Sequence, residues 1–476
     1  MVRTRFAPSP TGYMHIGNLR TALYAYLFAR ANNGKFILRI EDTDTERTVE
    51  GAIDVIYKTL KQAGIEYDEG PDIGGAYGPY IQSQRKDIYN YYAHKLVETG
   101  AAYYCFCSKE RLAKLQESGA TKYDKYCLRN VSLEEAKARI AAGEPFVVRQ
   151  NIPEQGVSSY TDLVFGEITV DYKDLEDNIL LKSDGMPTYN FANVIDDHLM
   201  GINYVIRGVE YLTSTNKYNL IYDAFGWERP NYIHLQPIMK DSAHKLSKRT
   251  GDASFEDFIA KGYLSQAIVN YIALLGWSPK DNREKMSMQE LVEAFSIEGL
   301  SKSPSIFDEV KMRWLNSLYI KELPQEEFAK LSKPYYDKMG LGGKYDYAVL
   351  DKLLQSRVEI MSDIPEKLKF LDQFDNFDLN LFENKKLKID KTTAKEVLPK
   401  LLKRLEDIKS FDNSTLFENL KEFSNEINLK SAALFWIMRV ALTGAEVTPG
   451  GATEMAELFG KERSLERIKT ALNRLG

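Results

Sequence analysis

Only three cysteines occur among 476 residues, an odd number spread thinly over a large chain, which excludes a disulfide framework as the source of its stability. Long apolar runs are missing as well. No stretch approaches the length of a bilayer span, and the first residues run into a strand pattern and a proline-containing loop without the charged and apolar regions of a signal peptide. A cytoplasmic protein with no membrane contact is expected. Nor is there an excess of basic charge: 63 Lys and Arg stand against 68 Asp and Glu, a formal net charge of −5. Any RNA contact must therefore rest on local cationic patches over an acidic body. Internal repeats and low-complexity tracts are absent, and the length suits about three domains.

What is present first is an alternation of strand and helix signals. Val2 to Ala7 reads as a strand, a helix begins at Gly17 with Leu19, Leu23, Tyr26 and Leu27 at helical spacing, Phe36 to Ile40 reads as a second strand, and a helix follows through Ala52 to Leu60. This pattern predicts an α/β fold, a doubly wound, Rossmann-like parallel sheet over 1–100 and 180–254 that binds ligands at the strand carboxyl ends. The charge-rich, cysteine-bearing stretch 101–179 reads as an insertion, after which Ile179 to Lys182 and Tyr204 to Arg207 are expected to resume the sheet. From 255 helical periodicity takes over, as in Ile268, Tyr271, Ile272 and Leu275. A helical region over 255–324 and an all-helical one over 325–476 are expected, the latter broken at Thr448-Pro449-Gly450-Gly451.

Two short stretches carry chemistry. His15-Ile16-Gly17-Asn18 opens the first helix after the loop Pro8-Ser9-Pro10-Thr11-Gly12, where unpaired backbone N–H groups and the helix dipole favour an anion. Lys245-Leu246-Ser247-Lys248-Arg249 places three cations around a serine in what reads as a loop. Alone, His15 is as readily a helix cap and the basic stretch a solvated loop. In this order they resemble the two signatures (HIGH and KMSKS) of class I aminoacyl-tRNA synthetases. Asn18 replaces the final histidine of the first, and Leu246 the methionine of the second.

Further motifs resemble the bacterial-type glutamyl branch of that class: Arg5-Phe6-Ala7-Pro8-Ser9-Pro10-Thr11-Gly12, Arg39-Ile40-Glu41-Asp42-Thr43-Asp44, Leu181-Lys182-Ser183-Asp184-Gly185, Pro187-Thr188-Tyr189, Asp196-Asp197-His198 and Trp314-Leu315-Asn316. The resemblance implies a ligase that activates L-glutamate with ATP and Mg²⁺ and transfers it to the 3′ terminal adenosine of tRNA(Glu), with tRNA(Gln) open as a further substrate. It implies His15, Lys245 and Lys248 as catalytic residues, and His15, Gly17, Asn18, Lys245, Ser247 and Lys248 at ATP. Arg5, Ser9, Glu41, Tyr189, Asn193 and Arg207 fall to glutamate. Tyr189 and Asn193, four apart in a helix expected over Tyr189 to Leu199, share a face independently of the family. From pattern alone, Arg5 and Arg207 could equally form internal salt bridges.

The inserted stretch is expected to bind the acceptor end of tRNA, and the region 255–324 its stem. Cys105, Cys107 and Cys127 offer three soft ligands where zinc takes four. Many relatives add a histidine two positions after the last cysteine, but Arg129 stands there. A related enzyme, glutamyl-queuosine tRNA(Asp) synthetase, uses a tyrosine four residues before the last cysteine, here Tyr123, so a structural Zn²⁺ held by Cys105, Cys107, Tyr123 and Cys127 is expected against free buried thiols. The helical last third resembles the family's anticodon-binding region and places Arg357 at the last anticodon base. A monomer is expected. The alternatives are the queuosine-modifying relative, which lacks that last third; a non-catalytic tRNA-binding paralogue, which would have lost His15 or the lysines; and glutaminyl-tRNA synthetase, whose C-terminal region is β-barrel.

Overall fold

A computed structural model describes residues 1–44, 49–246, 254–371 and 374–476. They form two units, Met1–Ile259 with Ser265–Glu309, and Ala260–Leu264 with Val310–Gly476.

In the first unit β1 (Arg3–Phe6) pairs in parallel with β2 (Lys35–Leu38), Arg5 opposite Ile37. Between them in sequence runs α1 (Ile16–Ala31), whose Leu19, Leu23 and Leu27 recur every four residues and are all buried. Each such leucine stabilises the packing by about 1.5–3 kcal/mol. The next helix is α2 (Ala52–Gln62).

Two strands of the inserted stretch, β3 (Ala102–Cys105) and β4 (Val147–Gln150), are antiparallel. A hairpin of β5 (Val157–Asp162) and β6 (Gly166–Asp171) follows them. The strand β7 (Ile179–Leu181) departs from expectation: it pairs antiparallel with β4 instead of resuming the parallel sheet. A three-residue apolar run has no periodicity that could tell one buried sheet from another.

Parallel pairing resumes with β8 (Tyr204–Gly208) and β9 (Asn231–Leu235) in the register Arg207 to His234, and β5 joins the far side of β9 in parallel at Asp162 and Tyr232. On the near side Asn203 N–H donates to the Arg3 carbonyl at 3.2 Å, which ties the start of β8 to β1. Val205 and Ile206, adjacent in β8, are both buried, as in a strand covered on both faces. Arg5, Arg207 and His234 are each next to last in their strands and Asp162 is last, so all four stand at strand carboxyl ends.

In the second unit no β-strand is formed among the described residues. Helices Lys391–Asp407, Asn413–Glu426, Ser431–Thr443 and the segment Ala452–Leu475, two helices that meet at a kink at Gly460, bury one continuous core, with Leu434, Ile437, Met438 and Ala441 at i, i+3, i+4 and i+7. Gly444 closes the third of these at φ +65°, and a Cβ there would stand 2.6 Å from Phe377 Cβ. The break expected at Thr448 to Gly451 separates the third from the kinked segment.

Candidate active site

At the carboxyl ends of β1 and β8 lies a cavity of about 550 Å³, lined among others by Arg5, Ser9, His15, Gly17, Asn18, Glu41, Tyr189, Arg207 and Lys245. Residues from opposite ends of the first unit's sequence thus meet where a doubly wound sheet binds its ligands. Asn193 is buried just behind, in the Tyr189–Leu199 helix, with its side-chain amide nitrogen unpaired among the described residues.

His15 caps α1. Its Nδ1 accepts the Gly17 backbone N–H at 3.0 Å, which leaves the proton of the neutral ring on Nε2. A Cβ on Gly17 would stand 3.1 Å from that same Nδ1, so glycine keeps the cap and the close backbone approach together. Lys245 is not in a loop, as the sequence suggested, but on the return arm of a hairpin: it bridges Met239, and Leu246 N–H donates to the Ile238 carbonyl at 3.1 Å. Ser247, Lys248 and Arg249 lie outside the described residues.

The other end of the cavity is dominated by buried charge. Arg39, wholly buried, donates to Asp197 at 2.7 Å and to Glu41 at 3.0 Å, and stands 3.7 Å from Asp196. Arg5 Nε meets Asp197 at 3.1 Å, and Arg85 meets Asp196 at 2.7 Å. Three guanidinium groups and three carboxylates thus balance. Burial works against the charge on Asp197, yet Arg5 and Arg39 hold its carboxyl below the ordinary range. For Glu41 burial wins over Arg39 and Arg5, and its carboxyl is raised. The sequence motifs contained Arg39, Asp196 and Asp197 but gave them no role. Their signal is paired acids in a helix that also carries Tyr189, facing arginines on strands.

Arg207 is different. It is 6% exposed and has no carboxylate within ion-pair distance among the described residues. Its guanidinium donates from Nη2 to Thr215 Oγ1 at 2.6 Å and from Nε to His234 Nε2 at 3.3 Å, and it packs on the rings of Tyr211, Tyr218 and Tyr232 at 5.2, 4.9 and 5.4 Å. A buried cation held only by neutral groups is built to receive an anion. Neither His234 nor Thr215 was singled out by the sequence.

The sulfurs of Cys105, Cys107 and Cys127 lie within 4.8 Å of one another. Tyr123 Oη is 3.4 Å from Cys105 and 3.2 Å from Cys107, and the Cys107 and Cys127 sulfurs are 3.6 Å apart. Ligands of tetrahedral zinc bound at ~2.3 Å through sulfur stand about 3.7 Å apart, slightly less when one is oxygen, so these three separations suit such an ion. Hydrogen bonding from Cys127, then from Tyr123 and Arg149, lowers the Cys105 thiol to about 4 against the effect of burial. Arg129 is turned away, paired with Glu154 at 2.7 Å. In the second unit Arg357 lies beyond the Tyr347–Leu354 helix, paired with Glu454 at 3.0 Å and donating to the Leu353 carbonyl at 2.6 Å.

Residues 1–314 match the family described as tRNA synthetases class I (E and Q), catalytic domain. The chain belongs to this family. A match to an anticodon binding domain follows over 324–472. Among class I synthetases it is similar to the glutamate–tRNA ligases of Clostridium tetani and Clostridium novyi, 52% identical to each over 100% of this chain and 98% of theirs. It also resembles the crystal structure of a glutamate tRNA ligase from Elizabethkingia meningosepticum in complex with its amino acid, at 34% identity and a TM-score of 0.89 over 100% of both chains. Synthetases of this class use ATP with Mg²⁺. No helix of the described residues is long and apolar enough to cross a membrane.

Proposed function

We infer that the chain ligates glutamate to tRNA(Glu) in two steps. The observation that carries this reading is full-length 52% identity to proteins named glutamate–tRNA ligase, joined to a cavity in which one buried arginine has no carboxylate partner among the described residues. In the first step an α-carboxylate oxygen of glutamate attacks the α-phosphorus of ATP and pyrophosphate leaves. In the second a hydroxyl of the 3′ terminal adenosine of tRNA attacks the activated carbonyl and AMP leaves. Neither step requires a protein nucleophile; both need fixed donors and cations where charge develops. The proposed donors are His15 through Nε2–H, the backbone at Gly17 and Asn18, Lys245, and by sequence Ser247 and Lys248. Bound Mg²⁺ would neutralise phosphate charge. Glu41 is assigned to the amino acid's ammonium, Arg207 to its side-chain carboxylate, and Arg5, Ser9, Tyr189 and Asn193 to the remaining wall.

Charging assays with purified tRNA(Glu), tRNA(Gln) and tRNA(Asp) test the reading. Glutamylation of tRNA(Glu) is expected, and no charging of any of them would sink it. tRNA(Gln) is kept as a second candidate substrate. Charging of tRNA(Asp) alone would favour the queuosine-modifying alternative, against which the anticodon-domain match already speaks. Pyrophosphate exchange should also depend on tRNA, and equal exchange without it would remove that part of the proposal. We assign Arg357 to the last anticodon base, for which it must release Glu454. The reading extends to a monomer in the cytoplasm, where free thiols persist.

A structural zinc is proposed on Cys105, Cys107, Tyr123 and Cys127, supported by the donor spacing above. Held there, it would cross-link β3 to the helix Tyr126–Asn130. Elemental analysis of protein purified without chelators is expected to give one zinc per chain, lost on Cys105→Ala or Cys127→Ala and retained more weakly by Tyr123→Phe. Absence of metal from the unsubstituted protein would return the cysteines to buried thiols.

A further inference from the structure

Arg207, His234 and Asp162 stand in a row on three adjacent parallel strands, β8, β9 and β5. Asp162 is fully committed. Its Oδ1 accepts the backbone N–H groups of Val164 and Phe165, both at 2.9 Å, and its Oδ2 accepts the His234 N–H at 3.2 Å and stands 2.7 Å from His234 Nδ1. Only a proton on Nδ1 satisfies that short contact. Although the two form an acid–imidazole pair, burial first, and then the charge of Arg207, lower the pKa of the imidazole against the pull of Asp162. The lone pair of Nε2 therefore faces the Nε–H of Arg207, with the Thr215 hydroxyl oxygen also 3.3 Å away. The Thr215 hydroxyl donates to the Tyr211 carbonyl at 2.7 Å and so accepts from Arg207 Nη2.

We propose that Asp162 and His234 are positioning residues for amino-acid selection: they fix the plane of the Arg207 guanidinium with a neutral acceptor, so that its charge stays available for the substrate's side-chain carboxylate. This rests on the assignment of Arg207 made above. The chemistry explains why an imidazole stands there instead of an acid. A carboxylate touching Arg207 would hold it equally well but would neutralise it, and the substrate would then compete with the protein. Neutral imidazole fixes geometry without cancelling charge, and the acid that sets its tautomer is removed by one ring and satisfied by the backbone.

Asp162→Asn turns the relay around. The two N–H groups of Val164 and Phe165 hold the amide oxygen against the single backbone N–H of His234, so its NH₂ faces His234 Nδ1 and the bond from the His234 backbone is lost. That forces the proton to Nε2, where it opposes the N–H of Arg207. His234→Asn keeps a donor near Asp162 but loses the acceptor for Arg207, whereas His234→Gln offers an oxygen near the Nε2 position.

The experiment measures tRNA-dependent pyrophosphate exchange with glutamate and with glutamine, with Arg207→Gln as reference. Asp162→Asn and His234→Asn are expected to raise KM for glutamate about tenfold or more and to narrow the glutamate-to-glutamine ratio, with KM for ATP within about twofold. His234→Gln should recover most of the loss. Long-range ¹H–¹⁵N spectra of histidine-labelled protein should show the Nδ1–H form of His234, changed to Nε2–H by Asp162→Asn. If Arg207→Gln collapses the ratio while Asp162→Asn and His234→Asn leave it and the glutamate KM alone, the relay is wrong and the Arg207 assignment stands. If Arg207→Gln itself changes nothing, the assignment fails. A rise in both KM values that His234→Gln does not repair would show a purely structural role and overturn the proposal.

Discussion

Arg207→Gln is expected to lower kcat/KM for glutamate by two to three orders of magnitude and to erase most of the preference over glutamine. The two amino acids differ by one charge at nearly equal size, so shape separates them poorly. A buried guanidinium separates them well, because an amide leaves it without an anion, and loss of one partner of a buried pair costs about 3–5 kcal/mol. Arg207 meets that condition since, among the described residues, every group that hydrogen-bonds it is neutral. Arg5 does not: Asp197 already pairs with it. Arg5→Gln is therefore expected to weaken binding of both amino acids without changing their ratio much. Steady-state kinetics on the two variants decides between them. An intact ratio in Arg207→Gln with a collapsed one in Arg5→Gln would mean that the roles are exchanged, and an intact ratio in both would discard this pocket as the selecting one.

The second large effect is expected at the nucleotide end. His15→Ala and Lys245→Ala should each lower kcat by about 10²-fold while KM for glutamate changes little, as for groups that act on charge developing in the transition state. Lys248→Ala carries the same expectation from its place in the sequence signature. His15 also caps α1, and loss of a cap costs about 1 kcal/mol of stability. A small fall in melting temperature is therefore expected with His15→Ala, but it cannot account for a hundredfold loss of turnover in protein that is still folded. Unchanged kcat with a lower Tm would reduce His15 to its capping role.

The positions of these side chains were legible in the sequence to different depths. His15 and Gly17 were readable because a helix start has a local signature, and the Tyr189–Leu199 helix because tyrosine and asparagine four apart define one face. The two arginines could be named from motifs, and family position pointed to Arg207 for the side-chain carboxylate, but no local pattern gave the physical reason. What distinguishes them is the company each keeps: Asp197 beside Arg5, and an imidazole, a hydroxyl and three rings around Arg207. Those partners are brought in by strand register, which depends on pairing between distant segments and leaves no mark in a short window. The displaced strand β7 failed for a related reason, since three apolar residues suit either sheet. The cluster of Cys105, Cys107, Tyr123 and Cys127 was readable only in part: Cys105 and Cys107 stand two apart at the end of β3, Tyr123 was named by resemblance, and the fold brings it and Cys127 to the other two.

The hairpin of β5 and β6 bears on how this enzyme could be cut and recombined. In sequence it belongs to the stretch that carries the cysteine cluster, and a graft designed on sequence alone would exchange residues 101–179 as one block. In space its first strand completes the parallel sheet beside β9 and ends on Asp162. Exchange of the whole block would thus import a foreign residue beneath His234 along with the new cysteine-bearing stretch, and the effects of the two could be mistaken for one another. A chimera that keeps the two separable needs its second junction between Gln150 and Val157, ahead of the hairpin.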